Sequence, residues 1–374
     1  MKAKKISLRL FFLLGLMSFI TTTSYAQIGD VSSILQAGKE DANTLARAYL
    51  QPFGSGFGAS LNTGWTNAAK PHKKFGFDLT ISSGLAIVPN ADKSFDVTQL
   101  GLQKLEYENG PQVSQTINGA DEPGTTLAAY ADPDGPGGLS RQKILEFTMP
   151  KGTGFGYVPA PVIKGGIGLI KDTELMFRYM PEYKIGDFGS FKLFGIGAKH
   201  GINQWLPGGK LLPVDLSVMV GYTGMDVTAD FDITAQDVIQ NQNNTENPYS
   251  PSKWEGQNIS LSTDAWTFDA LVGKTLPVIS VYAGVGYEAS TLDITTPGAY
   301  PTIIPNEAYQ NDPANNKPFI VDAVDKPIDI SIDGKNSFRA LAGFRLRFAI
   351  FHISGSYTLA NYSSYNLGFG ISFR

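Results

Sequence analysis

Arg339, Arg345 and Arg347 share one parity of the segment 338–348, and Phe338, Ala340, Ala342, Phe344, Leu346 and Phe348 occupy the other. Successive side chains of a strand point to opposite faces, so an extended backbone here has an apolar face and a guanidinium-bearing face. The segment before it sets Ile279, Val281, Ala283, Val285 and Tyr287 against Glu288, and the same parity puts Arg178, Asp269, Lys164, Glu174, Asp78 and Asp215 on the polar side of their strands. Counting from the hairpin ends sets Glu288 and Arg339 at similar heights on adjacent strands, an expected ion pair. Arg345 and Arg347 fall nearer the next turn, opposite His352. Arginines gathered on one interior face can do two things. They can form a basic constriction that binds or filters anions and carboxylate head groups, or a salt-bridge network that braces a closed interior.

Other chemistry has less support. Of the three histidines, His72, His200 and His352, the last forms His352-Ile-Ser354, with both polar side chains on one strand face. That pair resembles the His–x–Ser arrangement of outer-membrane lipid A deacylases. Those enzymes act on the outer leaflet, whereas this strand begins at the opposite side and turns the pair inward. Gly54-Ser-Gly-Phe-Gly58 is not a phosphate loop, because in this reading it opens a strand and not a helix. Asp132-Pro-Asp-Gly lacks the twelfth-position Glu of an EF-hand and reads as a solvated turn. The chain has no cysteine, which excludes disulfides, thiol catalysis and a lipid-anchored cysteine. A net charge of −4 without a basic stripe argues against nucleic acid as a partner. We therefore expect no catalytic activity and no cofactor.

The elements that position the charges are strands between lipid and a polar interior. In the last segment Tyr365, Leu367, Phe369, Ile371 and Phe373 alternate with Asn366, Gly368, Gly370, Ser372 and Arg374. It resembles the closing strand of bacterial outer-membrane β-barrels, which the barrel assembly machinery reads. Only 17% of residues are charged, with 41 Gly, 23 Phe and 16 Tyr, and no apolar run after residue 26 is long enough for a spanning helix. A membrane protein without such helices closes a barrel. Lys2, Lys4, Lys5 and Arg9, the apolar run Leu10 to Ile20 and Ser24-Tyr25-Ala26 read as a signal peptide over 1–26. Val31, Ile34, Leu35, Ala42, Leu45, Ala46 and Tyr49 recur at helical spacing, predicting a helical segment over 27–56 that either lies at the periplasmic rim or plugs the lumen. Residues 57–374 are then expected to form an all-β, transmembrane antiparallel barrel of 12 strands, alternatively 14. The first would be 57–67 and the third 95–108, with a turn at Pro89–Ser94 between the second and third. The long connections 109–160, 236–256 and 297–335, rich in Gly, Pro, Asn and Asp, all fall on the outer side.

A signal, a helical N-terminal segment, Pro52-Phe-Gly-Ser-Gly and a barrel to the terminus make a layout similar to the long-chain fatty-acid transporter family, although that family's Asn-Pro-Ala-Gly hatch motif is absent. The resemblance implies a fourteen-stranded barrel with a hatch in its lumen, carrying small hydrophobic or amphipathic solutes across the outer membrane. The alternative expectation is a structural or adhesive barrel with a closed lumen that recognises partners through its long loops. Outer-membrane lipid, and the assembly machinery acting on Tyr365 to Arg374, are the other expected partners.

Overall fold

The computed structural model describes residue 34 and residues 39–373, except 131–140, 142, 185–188, 231 and 240–242. Ten antiparallel strands form a closed meander: β1 (Phe77–Ile87), β2 (Tyr157–Gly168), β3 (Thr173–Lys184), β4 (Gly189–Gly201), β5 (Asp215–Asp230), β6 (Asn258–Thr275), β7 (Ile279–Thr295), β8 (Phe338–Phe348), β9 (Phe351–Leu359) and β10 (Ser364–Phe373). Each pairs with its neighbour in sequence, and β1 pairs with β10 from Phe77↔Phe373 to Ala86↔Ser364, so no edge is left open. Phe77 and Phe373 stack at 6.0 Å across this seam. One further strand, Asp329–Asp333, lies outside the closed set and pairs with the far end of β7.

The parity argument explains which face is which. Phe338, Phe344, Val281, Val285, Phe268, Leu367 and Phe369 are exposed on the outside, while Arg339, Arg345, Glu288 and Asp269 are buried inside. The apolar belt runs round all ten strands, far beyond the few hundred Å² that soluble monomers expose, and a bilayer is the solvent it matches. No described helix is long and apolar enough to cross a membrane. Strand β4, whose parity the sequence leaves ambiguous, turns Phe194 and Ile196 outward and Leu193 inward.

The expected count of twelve strands is corrected to ten. Segment 57–67 is not a strand, because α1 (Lys39–Leu61) continues through Pro52 and Gly54, past the boundary expected at 56. Segment 95–108 is not part of the wall either, and contributes only short strands, Ser94–Asp96 and Leu105–Asn109, to small sheets above it. Losing two strands keeps the number even but inverts the placement of Pro89 to Ser94, which sits at the long-loop end with a short 3-10 turn at Asn90–Asp92. The long connections become 88–156, 231–257 and 296–337, and the barrel wall begins at Phe77. Residues 1–26, Val31, Leu35 and the Asp132–Asp134 turn lie outside the described residues.

Glycine costs about 1 kcal/mol in a helix interior and proline about 3, so α1 is held by packing more than by propensity. Its glycines sit where the wall comes close: a β-carbon at Gly56 would lie 2.6 Å from Val158 Cγ2, and one at Gly54 would lie 2.9 Å from Ile332 Cγ2. The first half of α1 does not lie at the short-turn rim. Ala42, Leu45 and Ala46 join Ile34 in one core with Val97, Leu105, Leu127, Phe147, Met149, Ile330 and Ile332 of the long connections. Buried Asp41 fastens it there, accepting from the backbone N–H groups of Gln103 (2.7 Å), Lys104 (2.8 Å) and Leu105 (2.9 Å). From α1 onward the described chain runs from a folded cap at the long-loop end down through the barrel before entering β1 at the opposite end.

Candidate functional site

The lumen is filled by residues 57–69. Phe57, Ala59 and Leu61, at the end of α1, pack against the wall residues Val158, Ala160, Val162, Leu193 and Ala265. Beyond Leu61 the backbone is neither helix nor strand, and its carbonyls need partners from elsewhere. The wall supplies them. Arg178 donates to Leu61 O (2.5 Å) and also to Thr63 O, and Arg339 donates to Asn62 O at 3.0 Å. Lys164 donates to Trp65 O (3.1 Å), Tyr282 to Thr66 O (3.0 Å), Lys199 to Ala68 O (3.1 Å) and Ser217 to Ala69 O (2.7 Å).

Trp65 is the anchor of this plug. Its indole carries the Arg178 guanidinium at 3.9 Å and lies on inward-facing glycines. A β-carbon at Gly221 would approach the indole to 2.6 Å, and one at Gly197 to 2.8 Å. Arg339, Lys199 and Lys164 are themselves held by carboxylates. Arg339 forks onto Asp269 (2.8 and 2.6 Å) and reaches Glu288 at 2.6 Å. Lys199 lies 3.0 Å from Glu174 and Lys164 lies 3.6 Å from Asp78. Each of these charges is buried, and the geometry gives each a counter-charge and further hydrogen bonds, the condition for tolerating buried ions. Asn62, Trp65, Asp269 and Tyr282 line a residual void of about 10 Å³, room for a single water.

His72, Asp78 and Glu174 bring three potential metal-ligand atoms within 4.8 Å of one another at the foot of the plug. The donor set fits a latch better than a cation. His72 gives its backbone N–H to Glu174 (3.0 Å), its Nε2 lies 3.1 Å from Asp78, and Lys164 and Lys199 already supply the positive charge.

Of the residues singled out by parity, Arg178, Asp269, Glu288 and Arg339 converge on the plug, and Glu288 pairs with Arg339. Arg345 is also buried in the lumen but stands apart from them. Arg347 sits half-buried at the short-turn mouth, donating to Pro277 O at 3.1 Å. Asp215 is at the same rim, 3.5 Å from Lys70. His352 contacts Thr80 (3.1 Å), and the Ser354 hydroxyl has no partner among the described residues, so no hydrogen bond joins the His–x–Ser pair. Lys199 escaped sequence reading, and so did the plug's position: a plug was one expectation for 27–56, whereas residues 57–69, expected as a strand, fill the lumen. The inward glycines Gly195, Gly197 and Gly221 were the available signal, since a row of missing side chains inside a barrel implies something seated on it.

The chain matches the Family of unknown function (DUF6588) over residues 1–373 and belongs to that family. No curated protein matches it. Among solved structures it is similar to Ail, the attachment invasion locus protein of Yersinia pestis, with 7% identity over 80% of this chain and 99% of that one and a TM-score of 0.24. It is also similar to the translocator domain of the autotransporter NalP from Neisseria meningitidis, with 10% identity over 81% and 90% of the two chains and a TM-score of 0.28. Scores this low leave the description of the barrel to its own strand pairing.

Proposed function

We propose that this protein is an outer-membrane barrel that its own N-terminal segment keeps closed, and that it works as a non-catalytic surface protein whose folded cap does the recognising. The observation that carries this reading is the plug: seven backbone carbonyls between Leu61 and Ala69 are held by wall side chains, and the void beside Asn62 and Trp65 is only about 10 Å³. A passage for hydrophobic or amphipathic solutes would require all of these bonds to break together. The apolar belt supports lipid as the surrounding solvent, and the exposed face Tyr365, Leu367, Phe369 and Phe373 supports recognition of the last strand during assembly. Long loops outside and short turns inside, the usual barrel orientation, support a cap at the cell surface.

The absence of cysteine makes the orientation testable. Single variants Lys39→Cys and Glu106→Cys should react with a membrane-impermeant maleimide on intact cells, and Lys70→Cys only after permeabilisation. All three side chains are exposed. Labelling of Lys70→Cys alone on intact cells would reverse the orientation and remove the cap as a surface-recognition element.

A further inference from the structure

The barrel wall buries five cations, Lys164, Arg178, Lys199, Arg339 and Arg345, against four carboxylates, Asp78, Glu174, Asp269 and Glu288. Lys164, Lys199 and Arg339 each have a carboxylate partner. Arg178 has two backbone carbonyls, the Thr223 hydroxyl and the Trp65 ring. Arg345 has none of these. It is 8% exposed, and among the described residues it forms no ion pair and its Nε has no hydrogen-bond partner. A buried guanidinium without a contacting counter-ion is costly, so the site is incomplete as the described residues build it.

The surroundings are those of an anion site. Register places Arg345 in one inward-facing cross-strand row, directly between Ser280 on β7 and Ser354 on β9, with Gly368 and Ser82 continuing the row. The hydroxyls of Ser354 and Ser82 also lack partners. Gly368 adds no side chain between them: a β-carbon there would lie 2.8 Å from Ser354 Oγ and 3.2 Å from Ser82 Cβ. Asp78 and Glu174 act on Arg345 electrostatically from a distance, but neither contacts it, and their ion pairs go to Lys164 and Lys199. Arg347, half-buried at the short-turn mouth two residues on, adds positive charge on the same parity of β8.

We infer that Arg345 and Ser354 form a binding site for a small monovalent anion, a halide or the carboxylate end of a larger molecule, reached from the short-turn end below the plug. The site is separate from the cap and does not depend on what the cap recognises.

Bromide tests it directly. Crystals of the full chain grown in detergent and soaked in bromide should show an anomalous peak against the Arg345 guanidinium and Ser354 Oγ. In solution at constant ionic strength, replacing methanesulfonate by chloride should raise the unfolding midpoint of the wild type. Arg345→Met should abolish that rise and Arg347→Met should keep it. Ser354→Ala keeps the guanidinium and should weaken chloride binding by about tenfold, the scale of one lost hydrogen bond to a charge. Acetate that displaces bromide assigns the site to carboxylates, and acetate that does not assigns it to halides. No bromide at Arg345 in the wild type, or a chloride effect unchanged in both Ser354→Ala and Arg345→Met, overturns the inference: the guanidinium would then be satisfied by water alone.

Discussion

Replacing Arg339 by methionine removes the centre of the lumen network. The guanidinium holds Asp269 through two bonds and Glu288 through one, and its fourth bond meets the Asn62 carbonyl of the plug. Methionine fills much of the same volume but leaves two carboxylates, 0% and 2% exposed, without a cation. Breaking a buried pair from one side typically costs about 3–5 kcal/mol, because the remaining charge stays desolvated. Two carboxylates orphaned together put the expected loss at the upper part of that range. Urea unfolding in detergent micelles, followed by heat-modifiable gel mobility, measures it. Adding Asp269→Asn and Glu288→Gln to Arg339→Met should recover most of the loss, since neutral amides no longer need the cation. If Arg339→Met costs less than about 1 kcal/mol, the value of an exposed ion pair, the network does not brace the barrel.

Three further outcomes follow from particular contacts. Gly221→Val should push the Trp65 indole off its seat, which a β-carbon already approaches to 2.6 Å, and produce a conducting barrel of normal gel mobility. Asp41→Ala should free the backbone N–H groups of residues 103–105, costing about 1–3 kcal/mol of cap stability, seen as faster hydrogen exchange in 103–105 with the barrel strands unchanged. In the cap sheet, hydrogen bonds from Lys143 and Tyr130 hold the Glu108 carboxyl below its ordinary value of 4.5. That contribution is present above the ordinary carboxylate range and fades as pH falls through the lowered value. Protection of the 126–130 amides, relative to their intrinsic exchange rate at each pH, should therefore fall on acidification in the wild type, and the fall should be smaller in Glu108→Gln.

Most of the wall was legible in the sequence and the position of the plug at 57–69 was not, for a physical reason. Strands facing lipid need unbroken alternation, and 338–348 and 364–373 show it residue by residue, so their inward charges could be read directly. Alternation fails as a guide where both faces meet protein. Residues 57–67 carry Phe57, Ala59 and Leu61 at alternate positions, yet these continue a helix whose glycines exist for close packing rather than for a turn. Segment 95–108 misled in the same way, because a folded cap buries apolar residues just as a membrane wall does. The Glu288–Arg339 pair followed from hairpin counting, but Asp269 as its third member depended on the curvature that closes the barrel.

Planar-bilayer conductance of the purified full chain tests the closed barrel most directly, with a variant carrying Lys164→Met, Arg178→Met and Lys199→Met as comparison. The account predicts a silent wild type and channel openings in the variant, whose plug has lost four of its wall-held carbonyl bonds. Steady ion conductance through the wild type would contradict it.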